Sequence, residues 1–229
     1  MLPEEAELMG RWVLALGLPP GSTCLNIGSS TRRFREEVQP YIADRLFRPA
    51  ERAGLRVVHC DLKEADGVDE VGDVLDPAVQ RRLRDHRADL LICSNLLEHL
   101  TDPERFAGAC GSLVRPGGHA LLTVPLSFPY HPDPIDTMLR LRAPELSAML
   151  PGWEVVRSAE VEAGTYWREL RGGPRPLLAL GRRLARVALP IHKPREWLPA
   201  AHQLLWLFKP YRGTLVLLRR PDDGGARPS

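Results

Sequence analysis

Residues 89–125, DLLICSNLLEHLTDPERFAGACGSLVRPGGHALLTVP, read as strand, helix, turn and strand in one stretch, with the polar groups suited to a ligand gathered where the first strand ends. Residues 90–93 and 120–124 are short apolar runs of the kind buried on both faces of a sheet. Between them Asp102 or Thr101 can cap a helix, Pro103 fits its first turn, and Phe106, Ala109, Cys110 and Leu113 recur at helical spacing. Pro116, Gly117 and Gly118 are expected to stop that helix. The unit is βαβ with a right-handed crossover. Ser94 and Asn95 therefore face the crevice beyond the carboxyl ends of a parallel sheet, where such folds bind ligands.

The rest of the chain repeats the alternation. Residues 4–16 predict an opening helix, 23–27 a first strand, 32–38 the start of a helix, and 55–61 a second strand. A short third strand over 68–73 follows an unusually brief connection, and 77–86 predict a helix. After the βαβ unit come a Pro-rich loop over 128–136, a short helix over 144–150, and two more strands over 153–161 and 214–219. Alternating elements predict an α/β, doubly wound, Rossmann-like sheet, and the last two strands, lacking a simple crossover, allow one antiparallel edge. The expected organisation is a core over 1–162, a basic helical insert over 163–213, a final core strand over 214–220 and a disordered tail over 221–229.

At 229 residues, with 44% hydrophobic and 26% charged positions, the chain reads as globular. Glu4, Glu5 and Glu7 precede only a brief apolar stretch, so a cytoplasmic start is expected. Cys24, Cys60, Cys93 and Cys110 fall inside expected core elements without a C-x-x-C pair, which favours inert buried thiols over zinc or disulfides. The net charge of +2 conceals an asymmetry: residues 1–167 hold 18 Lys and Arg against 25 Asp and Glu, whereas 168–220 hold 12 against 2. So basic a segment is a candidate contact for something anionic.

A loop that follows the first strand and opens a helix can cradle a cofactor, but Gly28 stands where a dinucleotide fingerprint has three glycines. NAD binding, and with it a dehydrogenase, is disfavoured. Asp61, closing the second strand, suits a carboxylate that accepts both hydroxyls of a ribose, and Asp73 could accept from an adenine amino group. Either also serves as an ordinary turn former. Taken in order, CLNIGSS, VVHCDLK, VGDVLDP and LLEHLTDPERF with LVRPGGHALLTVP resemble the motifs of class I S-adenosylmethionine-dependent methyltransferases of the type-11-like group, over about residues 20–161. The resemblance implies a seven-stranded sheet with its last strand antiparallel, and a transferase of class EC 2.1.1.- with S-adenosylmethionine as cofactor. It also implies that Gly28 and Ser29 flank the methionine portion, Asp61 the ribose, Asp73 and Val74 the adenine, and Ser94 and Asn95 the amino-acid end. The family's first motif usually has an acidic residue and two or three glycines; this loop has Asn26, Gly28, Ser29 and Ser30.

Methyl transfer needs alignment first and, for a hydroxyl acceptor, a base worth about 10²–10⁴-fold. SFPYHPDPIDTMLR follows the fifth strand, and within it His131 is the expected base, with Asp133 and Asp136 orienting it or the acceptor and Tyr130 and Arg140 touching substrate. The same prolines and aspartates also make a rigid turn. Glu98 and His99 form a second candidate pair, and no metal ligands are assigned. Leu177, Leu180, Leu184 and Val187 follow helical spacing, with Arg182, Arg183 and Arg186 largely on other faces. LPAAHQLLWLF is apolar almost throughout, and neither run is long enough to span a bilayer. The insert can lie on an anionic inner-membrane surface with Trp197 and Trp206 at the headgroups, or serve as a lid or homodimer contact. No nucleic-acid motif accompanies its charge. The expected acceptor is a small or lipid- or glycan-linked molecule, methylated at oxygen; the rival is a non-catalytic module of the same fold that binds a partner through the insert.

Overall fold

A computed structural model of the chain describes residues 1–131, 135–172, 176–188 and 204–222. Helix α1 (Pro3–Ala15) precedes β1 (Thr23–Ile27). An irregular helical stretch then runs through a π-turn (Phe34–Val38), α2 (Pro40–Ile42), a second π-turn (Ala43–Phe47) and α3 (Arg48–Arg52). Next come β2 (Arg56–Asp61), β3 (Glu70–Val71), α4 (Pro77–Asp85), β4 (Ala88–Ser94), α5 (Pro103–Leu113) and β5 (Val114–Ser127). The chain continues with α6 (Ala143–Ser147), β6 (Glu154–Ala163), α7 (Tyr166–Gly172), α8 (Pro176–Ala188) and β7 (Tyr211–Arg219). The sheet has seven strands in the order β3-β2-β1-β4-β5-β7-β6. β3, β2, β1, β4 and β5 are mutually parallel, and β7 runs antiparallel to both β5 and β6.

Period-two alternation along the central strands fills two cores, one on each face of the sheet. Leu25, Ile27, Leu91, Cys93, Leu122 and Val124 point to the face covered by α4, α5 and α6. Cys24, Leu90, Ile92, Leu121, Leu215 and Leu217 point to the other, where Met9, Trp12 and Val13 of α1 pack with Ile42, Leu46 and Phe47. The result is a three-layer sandwich. Gly10 permits the tightest contact in the second layer, since a Cβ there would lie 1.9 Å from the Arg45 carbonyl oxygen.

Local differences from the sequence expectation have identifiable causes. The helical stretch that the sequence starts over 32–38 continues to Arg52, with Pro40 and Pro49, which lack an N–H, at the openings of α2 and α3 beside the π-turns. β3 has only two residues and pairs with β2 after a helix-free connection. α5 ends at Leu113, three residues before Pro116, because Val114 already pairs with Ala88; the Pro-Gly-Gly sits inside β5 at a register shift. β7 starts at Tyr211 rather than Thr214. Trp206, expected at a headgroup surface, is 7% exposed and packs with Tyr166 and Tyr211 against Phe128, Leu2 and Leu207. Leu177, Leu178 and Leu184 of α8 are exposed. Residues 132–134, Trp197 with the first part of LPAAHQLLWLF, and 223–229 of the expected tail lie outside the described residues. No described helix is long and apolar enough to cross a membrane.

Candidate functional site

The loop leaving β1 is shaped by its own hydrogen bonds. Gly28 has φ +72, and a Cβ there would meet Leu96 Cδ2 at 2.7 Å. The Gly28 and Ser29 N–H groups donate to the Cys60 carbonyl at 2.9 and 3.0 Å, and the Ser30 N–H donates to Asp61 Oδ2 at 2.8 Å. With these amides committed, the loop offers little to a pyrophosphate, which agrees with the sequence argument against a dinucleotide. Asp61 Oδ1 accepts from the Lys63 N–H at 3.2 Å, so each carboxylate oxygen keeps lone pairs for a ribose hydroxyl. Asp73 is exposed and accepts from the Leu75 N–H through Oδ1 at 2.8 Å, beside the buried Val74. This donor and acceptor set fits an uncharged nucleoside held by its ribose and base.

Arg35 lies behind the loop, buried, and was not singled out in the sequence. Its guanidinium donates to the carbonyls of Ser29 (3.0 Å), Ser30 (2.7 Å) and Gly67 (2.7 Å), tying the β1 loop to the loop before β3. Burial lowers its pKa, opposed by Asp69 and Glu36. His59 on β2 accepts from Asn26 Nδ2 through Nδ1 at 3.0 Å, and burial, reinforced by Arg35, depresses its pKa to about 4. The four cysteines are free and buried, as expected; burial pushes the Cys60 thiol up to about 12 and also raises Cys24.

At the β4 end the sequence missed the partner of Ser94 and Asn95. Glu5 of α1, 1% exposed, accepts from Asn95 Nδ2 (2.7 Å) and Thr123 Oγ1 (2.5 Å) through Oε1 and from the Leu2 N–H (3.0 Å) through Oε2. Ser94 Oγ lies 2.9 Å from Thr123 Oγ1 and accepts from Asn95 Nδ2 at 3.2 Å. The only sequence signal for Glu5 was an acid one helical turn before the apolar Met9. Asn95 adopts φ +48, which an Asn tolerates better than most residues.

The loop after β5 brings the other candidates together. Asp136 accepts a bidentate pair from Arg140 (Nη1 to Oδ1 3.1 Å, Nη2 to Oδ2 2.7 Å) together with the N–H groups of Met138 (2.8 Å) and His131 (3.1 Å). Burial alone would raise its pKa; the guanidinium and these amides hold it down at about 2. The His131 Nδ1 sits 3.1 Å from both the Pro129 carbonyl and Asp136 Oδ2. Both neighbours accept only, so Nδ1 carries the proton and Nε2 a lone pair. Burial lowers the His131 pKa against the pull of Pro129 and Asp136, which disfavours the imidazolium. Arg140 is thus taken by Asp136, Tyr130 is exposed, and Asp133 lies outside the described residues.

Glu98 and His99, from the turn Leu97–His99, reach the same place. The Glu98 carboxyl is fully buried, neither oxygen meets a hydrogen-bond partner among the described residues, and Oε1 lies 3.8 Å from His99 Nε2. Burial pushes its carboxyl up to about 8, opposed by its own backbone N–H, which falls short of hydrogen-bond geometry, and by Arg140, and reinforced by Glu5. His99 and His131 cross edge to face with ring centroids 5.2 Å apart. Where the sequence assigned no metal ligands, the fold gathers Glu98, His99 and His131 with their ligand atoms within 4.8 Å of one another, the single such group among the described residues.

Comparison with known proteins agrees with this architecture. Short segments match two curated proteins called ubiquinone biosynthesis O-methyltransferase. The Cupriavidus pinatubonensis protein is 49% identical over 35 residues (15% of this chain, 14% of that one), and the Vibrio atlanticus protein 37% over 60 residues (24% and 25%). The chain thus matches a quarter or less of the length of these relatives. Among solved structures, a putative methyltransferase from Bacillus halodurans superposes with TM-score 0.53 at 15% identity, over 92% of this chain and 98% of that one. The cyclase SpnF gives 0.53 at 17% identity, over 96% and 81%. At these identities the likeness shows the fold alone. Residues 3–168 match a family described as a methyltransferase domain, which spans β1 to β6 and every candidate residue above; the chain belongs to that family, the class I S-adenosylmethionine-dependent methyltransferases.

Proposed function

We propose that this chain binds S-adenosylmethionine along the carboxyl edge of β1, β2, β3 and β4 and methylates a hydroxyl of a small-molecule or lipid- or glycan-linked acceptor. The observation behind the oxygen reading is His131: an imidazole on the loop leaving β5 whose Nδ1–H is anchored by Pro129 and Asp136, which leaves Nε2 as the atom to receive a proton. The relatives named above are O-methyltransferases by name, which supports the same acceptor atom. Asp61 would take the ribose hydroxyls, Asp73 and Val74 the adenine, Gly28 and Ser29 the methionine portion, and Ser94 and Asn95, steadied by Glu5, the amino-acid end.

S-adenosylmethionine supplies a methyl on a sulfonium, which leaves as a neutral thioether with the C–S electron pair. The chain's own part is to hold the acceptor oxygen in line and to receive its proton at His131 Nε2 as the new O–C bond forms. Asp136 is a positioning residue, keeping His131 in the tautomer that can accept that proton, with Arg140 holding Asp136. Asp133 would act from the same loop. The exposed Leu177, Leu178 and Leu184 on α8, within a segment rich in arginine, suit peripheral contact of residues 163–213 with an anionic inner-membrane surface.

A second reading, a non-catalytic module acting through the basic insert, is favoured by the Gly28, Ser29 and Asn95 donors already being spent inside the protein. Calorimetry with S-adenosylmethionine and S-adenosylhomocysteine, followed by turnover of a phenol and catechol panel, separates the two. Micromolar binding with turnover that falls at least about 100-fold in His131→Ala, cofactor affinity unchanged, supports methyl transfer at oxygen. No binding of either nucleotide at millimolar concentration sinks it.

A further inference from the structure

We propose that Glu98, His99 and His131 form a binding site for a divalent transition-metal ion. Three independent features of the fold converge on it. The first is proximity: one ligand atom from each residue lies within 4.8 Å of the others, although His131 comes from the loop after β5 and the other two from the turn after β4. Metal–ligand bonds of about 2.0–2.2 Å hold ligand atoms about 3–4 Å apart. Glu98 Oε1 and His99 Nε2, at 3.8 Å, already meet that spacing, and the whole set needs to contract by roughly 1 Å through side-chain rotation.

The second feature is a buried carboxyl left without a partner. Glu98 is fully buried, both its oxygens lack a hydrogen-bond partner among the described residues, and Oε1 lies 3.8 Å from His99 Nε2. Such a carboxyl is costly to ionise unless something cationic meets it. Arg140 spends Nη1 and Nη2 on Asp136, and its buried Nε meets no partner among the described residues. The backbone of Glu98 is meanwhile held in place, its carbonyl accepting from both the Thr137 N–H (2.8 Å) and Thr137 Oγ1 (3.0 Å).

The third feature is the orientation of the imidazoles. His99 Nδ1 faces the Ile135 carbonyl at 2.5 Å, and His131 Nδ1 faces the Pro129 carbonyl and Asp136 Oδ2. Carbonyls only accept, so both rings donate from Nδ1, which leaves Nε2 as the ligating atom; that of His99 lies 3.8 Å from Glu98 Oε1. A carbonyl or carboxylate behind Nδ1 is the arrangement that fixes the tautomer of metal-ligating histidines and raises their basicity. Two imidazoles and one carboxylate as ligands favour Zn²⁺, Mn²⁺, Fe²⁺ or Co²⁺ over Mg²⁺ or Ca²⁺, which prefer all-oxygen sets. Three protein ligands also leave at least one position open.

The cation site stands without methyl transfer, but it deepens the proposed function where that reading holds. Coordination would occupy the His131 lone pair otherwise available as a base. An acceptor hydroxyl reaching the open position would then lose its proton to solvent water because the cation lowers its pKa. The test uses the untagged full chain, stripped with chelator and titrated with Co²⁺, read by its visible d–d absorption and by metal content after dialysis. Expected are one Co²⁺ per chain, displaced by one Zn²⁺, and affinity reduced about 100-fold or more in both Glu98→Gln and His131→Ala. Asp136→Asn should weaken it about 10–100-fold through the His131 ring. His131→Ala, at a half-exposed ring, keeps the test open should Glu98→Gln misfold, with near-ultraviolet circular dichroism checking each variant. No stoichiometric binding up to about 1 mM Co²⁺ or Zn²⁺, or binding undiminished in His131→Ala, overturns the site. Nucleotide calorimetry on the same stripped protein reports separately on the methyltransferase reading, so either can fail alone.

Discussion

Thr123 in the middle of the sheet donates a 2.5 Å hydrogen bond to Glu5, 118 residues earlier in the chain. Glu5 also receives Asn95 at 2.7 Å, so the first helix is tied to the tips of β4 and β5 where the candidate cofactor edge lies. Glu5→Ala would leave the Thr123 hydroxyl and the Asn95 amide without their acceptor in a buried place. The expected loss is about 2–4 kcal/mol of unfolding free energy, seen as a lower urea midpoint. Thr123→Val, which removes only one donor, should cost less than half as much. Equal effects would show that the loss comes from packing rather than from the shared carboxylate.

Acid sensitivity should trace in part to His59. Its folded-state pKa of about 4 lies below the ordinary value of 6.5 because burial and Arg35 disfavour the imidazolium. Between these values the unfolded chain binds the proton and the folded one does not. The contribution is therefore fully present above about pH 6.5 and is lost as the pH falls toward 4. The loss should amount to about 2–4 kcal/mol across that window. His59→Gln, which keeps an acceptor for Asn26, should flatten the slope between pH 6.5 and 4 in urea titrations. A slope unchanged in the variant would assign the acid sensitivity to other groups.

The central strands and the edge they present were legible because their cues are local. Residues 23–27, 90–93 and 120–124 are apolar runs bounded by turn residues, and the Asp102 cap is visible as a short polar group before Pro103 and is realised at 3.1 Å to Arg105 N–H. Less legible was whatever depends on distant partners. The sequence gives no sign that the Glu98 carboxylate meets a ring 33 positions later, and the brief spacing of His131 and Asp136 reads as a turn until Arg140 is seen to clasp the aspartate. The helical stretch to Arg52 was hidden for a different reason. Only its start over 32–38 carries a local cue, and beyond it two π-turns and short helices accommodate Pro40 and Pro49.

Gly28 should be intolerant of a side chain. At φ +72 an alanine is strained by about 1–2 kcal/mol, and its Cβ would press on Leu96, whose flexible end can give way at little cost. Gly28→Ala should therefore fold with a modestly lower melting temperature. It should nonetheless lose at least about tenfold in S-adenosylmethionine affinity, since the loop must shift where the cofactor is expected to lie closest. Gly28→Ala with unchanged cofactor affinity would remove this loop from the binding edge.

Arg35 provides the sharpest separation between holding the loop and merely filling space. Its planar guanidinium reaches three carbonyls at once, on Ser29, Ser30 and Gly67, which a single ammonium cannot do with the same geometry. Arg35→Lys keeps the charge and most of the stem, so a role in packing or in net charge predicts little change. A role as the clamp behind the loop predicts about 2–4 kcal/mol lower stability and faster amide exchange at Arg32 and Ser30, whose N–H groups donate to the Asp66 carbonyl and the Asp61 carboxylate. Cofactor affinity should fall with it, and added S-adenosylmethionine should restore part of the lost protection, because binding to the ordered loop draws the equilibrium back. Exchange at these amides indistinguishable from that of the unmodified chain would show that the loop holds its shape without Arg35.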